Sequence, residues 1–160
     1  MLAKEFKIGE LHSTTFTVTN EMTINRSGKP NGEVLSTPSL LNLMELCTIE
    51  ASDQYLNDEY TTVGYAVDKM RHLAPTLPGG AVTISATLTN VDSNKLTYSI
   101  DASEGDKNIG FAIHKRAIIQ KWTLSLFISK FIFLLYSTER FFLLSNNRLV
   151  KVYFLHKQSC

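Results

Sequence analysis

One stretch of this 160-residue chain, from residue 37 to about 56, constrains its fold most. Thr37 is a suitable N-cap, and Pro38 fits the first helical turn, where its missing N–H is not needed. Apolar residues then recur at helical spacing and surround most of the circumference: Leu40, Leu41, Leu43, Met44, Leu46, Cys47, Ile49 and Ala51. The sequence therefore predicts a helix that is buried on several sides and does not lie on a surface.

Five other stretches are predicted to be strands because they are rich in β-branched and aromatic residues or alternate in polarity. They are residues 13–18, 61–72, 81–90, 96–102 and 109–119. Residues 26–32 are predicted to be a loop. Short turns at 92–94 and 104–108 join the last three strands, so these strands should form an antiparallel meander. One buried helix and a curved antiparallel sheet make an α+β fold.

The formal charge of +1 conceals a difference between two parts of the chain. Residues 1–120 carry 10 Lys and Arg against 14 Asp and Glu, a net charge of −4. Residues 121–160 carry six basic residues against one acid, Glu139, a net charge of +5. Nucleic-acid binding requires a basic surface to neutralise phosphates, so the mildly acidic first part is not expected to bind nucleic acid.

The two cysteines, Cys47 and Cys160, are neither a disulfide framework nor a zinc site, which favours a reducing compartment. Residues 1–11 contain no apolar run long enough for a signal peptide, and Glu5 and Glu10 are atypical of a transit peptide. The sequence therefore predicts a cytoplasmic protein with no metal or other cofactor.

Thr37 and Glu45 are the first candidates for chemistry. They are eight residues apart, about two helical turns, so both side chains project from the same side of the helix. Thr37 can also be interpreted as an N-cap alone. Glu45 lies among apolar neighbours, and an unpaired buried carboxylate is costly. If Glu45 is buried, it should be paired, protonated or functional. Alternatively, Glu45 lies at the helix edge, where it faces water or forms a salt bridge.

Further candidates lie on two of the predicted strands. His72 closes strand 61–72, where a histidine is either structural or an acid–base group. His114 and Arg116 share one face of the last strand with Gly110 and Ala112, whose small side chains leave room for a ligand. Arg116 could then meet a carbonyl or phosphate oxygen, or it could be a solvated surface charge.

Three segments together resemble the hot-dog-fold thioesterases, and among them the fluoroacetyl-CoA thioesterase-like family. The resemblance spans about residues 5–120. Its motifs are Thr37-Pro38 with Leu43-Met44-Glu45 on the helix, Arg71-His72-Leu73-Ala74-Pro75-Thr76 with Pro78-Gly79 at the second strand, and Ile109-Gly110 with His114-Lys115-Arg116 on the closing strand.

This resemblance implies a five- or six-stranded antiparallel sheet wrapped around one helix, in a homodimer or dimer of dimers with active sites near the dimer interface. It implies that Thr37, Glu45 and His72 hydrolyse an acyl-CoA thioester, and that Gly64, His72 and Arg116 hold the thioester or coenzyme A. Glu45 would act as general base on water or attack the thioester directly, and His72 would stabilise charge or protonate the thiolate. Thr37 would orient Glu45 or the water. The alternatives are a non-catalytic acyl-CoA-binding module and an inactive product.

The chain departs from the family pattern at two positions. Gly64 and His72 are eight steps apart, one more than the family spacing, which a β-bulge could absorb. Ala112 stands where family members often have glycine. Residues that would select a fluorinated acyl group are not evident, so the resemblance does not assign fluoroacetyl-CoA as the substrate.

Residues 121–160 form a second segment of different character. They hold nine of the 16 aromatic residues and no glycine or proline. Their longest apolar run, residues 122–136, contains Lys130 and is shorter than the roughly 20 residues that span a bilayer. Three interpretations are open for this segment. It could be a membrane anchor, it could be an added segment for protein interaction or membrane-surface binding, or it could be an unselected sequence translated from a shifted reading frame or an unspliced intron. Composition favours the last, so membrane attachment is not expected.

Overall fold

The structure is a computed structural model that describes residues 4–121, 144–145 and 148–149. The chain divides into two units, residues 1–121 and 122–160. The first unit contains one helix, α1 (Thr37–Asp53), and a short 3-10 turn at Asn20–Met22. Its strands are β1 (Leu11–Thr17), β2 (Thr23–Asn25), β3 (Glu33–Leu35), β4 (Tyr60–His72), β5 (Ala81–Asp92), β6 (Lys95–Glu104) and β7 (Lys107–Gln120).

Five strands form one antiparallel sheet in the spatial order β1, β5, β6, β7, β4. The alternating residues of β5 and β6 bury one face of each strand, because side chains on a strand point alternately to opposite faces. The buried set is Val82, Ile84, Ala86, Leu88, Leu96, Tyr98, Ile100 and Ala102. This confirms the predicted meander and the predicted α+β arrangement of one helix against an antiparallel sheet.

The helix buries the predicted apolar stripe, Leu40, Leu43, Met44, Cys47 and Ala51, against the sheet. Burial on several sides is not reached within one chain. Leu41 and Ile49 are half-buried, and Leu46 is 39% exposed, because the sheet covers only one side of α1. The helix also ends at Asp53, three residues before the predicted end.

The helix N-cap is Ser36, and the prediction of Thr37 was wrong by one residue. Ser36 has extended backbone angles, and its hydroxyl oxygen accepts a hydrogen bond from the Ser39 N–H at 3.2 Å. Thr37 is already helical and is followed by Pro38, so it is the first residue inside the helix. The Thr37 hydroxyl is therefore not used for capping.

The pairing of β4 with β7 places the candidate residues of both strands. Gly64 is opposite Arg116, and His72 is opposite Gly110. Eight steps along β4 thus match six along β7, with irregularities after Gly64 and after Asp68. The longer spacing between Gly64 and His72 is thus absorbed by irregularities in the pairing, and there are two of them where one β-bulge was considered.

Two features were not predicted. The small β2–β3 hairpin has strands of only three residues, too short to show alternation in the sequence. The outer edge of β4 has no partner strand among the described residues, and Tyr65 and Val67 are exposed on that strand.

In the second unit, the described residues form one antiparallel pair of two-residue strands, β8 (Leu144–Ser145) and β9 (Arg148–Leu149). The expectations for the rest of residues 121–160, including the run 122–136, lie outside the described residues. Over the part of the chain that the structure describes, no helix has the length and apolar character needed to cross a membrane.

Candidate active site

The first part of the candidate site is a pair formed by Thr37 and His72. The helix runs antiparallel to β4, so the beginning of α1 lies beside the end of β4. The Thr37 Oγ1 atom is 3.1 Å from His72 Nδ1, which is hydrogen-bonding distance. The structure thus brings together two of the three predicted catalytic residues.

The second ring nitrogen of His72 is left without a hydrogen-bond partner by the described residues. Burial lowers the pKa of His72 from its ordinary value. The ring is therefore neutral near pH 7. Its Nε2 atom is buried and has no hydrogen-bond partner among the described residues. A buried polar atom without a partner is costly, so this atom is suited to meet a polar atom of a substrate.

A cavity adjoins the Thr37–His72 pair. Its volume is about 290 Å³, close to the lower limit of small-molecule sites. It is lined by Ile24, Val34, Leu35, Ser36, Thr37, His72, Leu73, Ala74 and Pro75. The lining is thus mainly apolar, with the hydroxyls and the imidazole supplying its polar groups.

The second part of the site is an ion pair between Glu45 and Arg116. The Glu45 Oε1 atom is 3.3 Å from Arg116 Nη1. The Glu45 side chain is 42% exposed, whereas the Arg116 side chain is only 1% exposed. Glu45 is therefore a paired carboxylate at the helix edge, one of the outcomes expected from the sequence. Arg116 is buried, and the interpretation of it as a solvated surface charge was wrong.

Arg116 is held by four hydrogen bonds. Its Nε donates to Thr62 Oγ1 at 2.8 Å, and its Nη2 donates to the Thr62 carbonyl at 2.9 Å. Its Nη1 donates to Glu45 Oε1 and to Thr48 Oγ1, both at 3.3 Å. Burial lowers the pKa of Arg116, and the Glu45 charge opposes this shift, yet a guanidinium stays charged in proteins. Within one chain the Arg116 guanidinium holds the Glu45 carboxylate. The expected contact of Arg116 with coenzyme A stays a prediction.

Gly64 allows Glu45 to approach the sheet. A Cβ atom on residue 64 would lie 2.8 Å from Glu45 Oε1, which is shorter than real Cβ contacts, and 3.0 Å from His114 Cε1, which is tighter than most of them. A side chain at position 64 would therefore displace the Glu45 carboxylate from its present position. Whether Gly64 also contacts a substrate stays a prediction.

Sequence reasoning placed His114 on the ligand-facing side of β7 but did not identify its polar neighbours. His114 is 2% exposed, and its Nδ1 is 3.3 Å from Thr48 Oγ1. Burial is the main cause of its lowered pKa, Arg116 lowers it further, and Glu45 opposes the shift. Thr48 follows Glu45 by three residues, so helical spacing could have identified it. Nothing in the sequence marks Thr62, which depends on the β4–β7 register.

Within one chain the three predicted catalytic residues form two separate groups. Thr37 and Glu45 are eight residues apart on α1, and a helix rises about 1.5 Å per residue, so the two residues lie about 12 Å apart along its axis. Thr37 bonds to His72, and the Glu45 carboxylate bonds to Arg116. Within a single chain Thr37 is therefore too far from Glu45 to orient it, and the alternative that Thr37 orients the water stays a prediction.

A family signature and a curated relative of this chain both belong to the fluoroacetyl-CoA thioesterases. The signature of the fluoroacetyl-CoA-specific thioesterase family, FlK, matches residues 18–122. The fluoroacetyl-CoA thioesterase of Streptantibioticus cattleyicolor is 34% identical over 87 residues, which is 54% of this chain and 62% of that protein. The chain thus spans less than two thirds of the length of this curated relative.

Solved structures extend the comparison to the fold. A structure of the fluoroacetyl-CoA thioesterase FlK superposes with a TM-score of 0.71 at 27% identity, covering 79% of this chain and 98% of that one. A Thermus thermophilus protein described as a thioesterase superfamily member gives a TM-score of 0.72 at 23% identity, covering 82% and 96%, and supports the fold alone. The fold is the predicted hot-dog fold, and the chain belongs to the fluoroacetyl-CoA-specific thioesterase family.

Proposed function

We propose that this protein hydrolyses an acyl-CoA thioester to a free acid and coenzyme A. The observation that carries this proposal is the neutral His72 ring, which is bonded to Thr37 through Nδ1, has a buried, unpartnered Nε2 and lines a mainly apolar cavity. Glu45 adds a half-exposed carboxylate fixed by a buried cation. A base and a polar group for the carbonyl are the requirements of thioester hydrolysis.

The complete site is proposed to form in a homodimer. Thr37 lies beside His72, and Glu45 lies beside Gly64. Along the axis of α1, Leu41 is midway between these two groups. A twofold axis at that level would place Thr37 and His72 of one protomer opposite Glu45 of the partner subunit, since a twofold contact pairs each group with its counterpart. A dimer of dimers would retain this arrangement.

The surface of the first unit supports this dimer. Tyr65 and Val67 are exposed on β4, whose outer edge is unpaired in the described part of the chain. On α1, Leu46 is exposed and Leu41 and Ile49 are half-buried. An unpaired strand edge with apolar neighbours is a surface that a second copy can cover.

The proposed reaction uses each residue once. Glu45 removes a proton from water, whose oxygen attacks the thioester carbonyl, or it attacks the carbonyl itself to give an anhydride that water opens. His72 Nε2, in the tautomer that carries hydrogen there, donates to the carbonyl oxygen as negative charge develops. Thr37 holds the His72 ring. The carbon–sulfur bond breaks, and coenzyme A leaves as a thiolate that takes up a proton.

The substrate class is proposed from the relatives and the cavity. One solved FlK structure holds fluoroacetate and CoA, and another holds acetyl-CoA. The mainly apolar lining of the cavity favours an uncharged acyl group. We do not propose a fluorinated acyl group, and no observation on the described residues favours the non-catalytic alternative.

A cytoplasmic location is part of the proposal. Cys47 is a free buried thiol, which suits a reducing compartment where coenzyme A esters are available.

Thiol release from a panel of acyl-CoA esters tests the proposed function. The wild-type protein should release coenzyme A, and E45Q should lose turnover while still binding the ester. E50Q is the matched control, because Glu50 lies on the same helix but bonds to Thr14 and His12. Wild-type turnover in E45Q, or a wild-type protein that only binds these esters, would overturn the proposal.

A further inference from the structure

The hydrogen bonds of Thr48 determine which nitrogen of His114 carries hydrogen. The Thr48 hydroxyl has one hydrogen, and it donates it to the Glu45 carbonyl at 2.8 Å. The hydroxyl oxygen accepts from Arg116 Nη1 at 3.3 Å. The contact with His114 Nδ1 at 3.3 Å can then be a hydrogen bond only if Nδ1 carries hydrogen and donates. In the neutral ring, Nε2 is therefore an acceptor.

This acceptor and the Glu45 carboxylate both lie against Gly64. The position that a Cβ atom on Gly64 would occupy lies 2.8 Å from Glu45 Oε1 and 3.1 Å from His114 Nε2. Two acceptors cannot bond to each other, but they are near enough for one donor molecule beside them to bond to both. Because residue 64 is glycine, no Cβ atom crowds the space next to the two acceptors.

We propose that His114 is a further catalytic residue, whose Nε2 and Glu45 Oε1 together hold the water molecule that hydrolyses the thioester. This inference rests on the proposed function. Water is the donor that suits the position, since it has two hydrogens for two acceptors and leaves its lone pairs for the carbonyl carbon. The lowered pKa of His114 keeps Nε2 unprotonated at neutral pH.

Each of the two hydrogens of the water has an acceptor in this step. On the general-base route, Glu45 takes one hydrogen of the water while the water oxygen bonds to the carbonyl carbon. On the covalent route, the water oxygen opens the anhydride, and the Glu45 carboxylate that is released takes this hydrogen. The second hydrogen stays on the new acid group and is held by His114 Nε2 during attack. His114 thus directs the lone pair without becoming protonated.

Two substitutions separate this role from a structural one. H114N places its amide nitrogen near the position of Nδ1, so it keeps a donor for Thr48 and loses the acceptor at Nε2. H114Q places its amide near the position of Nε2, so it keeps an acceptor there and loses the donor to Thr48. If His114 binds the water, H114Q should turn over faster than H114N. If His114 only supports Thr48, the order should be reversed.

The experiment measures steady-state thiol release and thermal unfolding for wild type, E45Q, H114N and H114Q. We expect H114N to keep its KM and lose about tenfold or more in kcat, with a Tm close to wild type. Wild-type kcat in H114N, or an H114N slower only because KM rises, would overturn the inference.

A high-resolution crystal structure tests the same inference without turnover, so a failure of the proposed function would not hide the result. An ordered water within hydrogen-bond distance of both His114 Nε2 and Glu45 Oε1 is expected in wild type and not in H114N. An empty or differently filled position in wild type would overturn the inference.

Discussion

Thr37 and His72 are hydrogen-bonded although 35 residues separate them, because α1 begins beside the end of β4. The adjacent Ser36 supplies the helix cap, so the Thr37 hydroxyl is free to hold the imidazole. Two neighbouring hydroxyls thus have separate tasks, one for the stability of the helix and one for the orientation of the ring.

Substitutions at these two positions should have opposite effects. S36A removes the cap and should cost about 1 kcal/mol of unfolding free energy with little change in kcat. T37V keeps the shape but loses the bond to His72, so kcat should fall about tenfold while stability changes little. Urea unfolding and thiol release on both variants measure this. A T37V variant that loses stability but keeps the wild-type kcat would show that Thr37 is only structural.

Gly64 should be required for activity more than for folding. In G64A the new Cβ atom would displace Glu45 Oε1 and press on the buried His114 ring, so kcat should fall about tenfold. The loss should act through Glu45, so G64A combined with E45Q should be no slower than E45Q alone. If the losses of kcat in G64A and E45Q were additive, Gly64 would not act through Glu45.

Arg116 should contribute to stability because its substitution leaves buried acceptors unpaired. R116M removes the donors to Thr62 and Thr48, which should cost about 3 kcal/mol of unfolding free energy. K115M is the matched control, since Lys115 makes an exposed pair with Asp68 at 2.7 Å and its loss should change stability much less than the loss of Arg116. Similar midpoints of urea unfolding for R116M and wild type would refute the buried network.

Stability should fall in mildly acidic solution. His72 and His114 both have a folded-state pKa below the ordinary value, mainly because of burial. Below about pH 6.5 the unfolded chain then binds protons that the folded chain excludes, so unfolding free energy decreases as pH falls toward the folded pKa values. Urea unfolding between pH 7.5 and 5.5 should show this decrease, and H72N should show a shallower one. A stability that rises on acidification would contradict these shifts.

The fold could be predicted because its signals are local. Alternation in β5 and β6 and the apolar stripe of α1 follow from the period of each element, and the structure confirms both. The exact N-cap could not be predicted, since Ser36 and Thr37 are both good capping residues. The β2–β3 hairpin was missed because three-residue strands carry too little pattern.

The site was predictable only in part because its contacts depend on register. Spacing placed Thr37 and Glu45 on one side of α1 but could not show that their side chains bond to different partners. The position of His72 beside Thr37 depends on two irregularities in β4, and the contact of Arg116 with Thr62 depends on the same pairing. Residue type alone does not encode these distances.

Glu45 of one protomer is proposed to act with Thr37 and His72 of the other, and a mixture of two inactive variants tests this shared site. E45Q and H72N are each expected to release almost no thiol. Co-refolded in equal amounts, half of the dimers should contain both variants, and each of these should have one intact site of two. About a quarter of wild-type turnover should therefore be recovered in the mixture. No recovery above the separate variants, with mixed dimers shown to form, would contradict it.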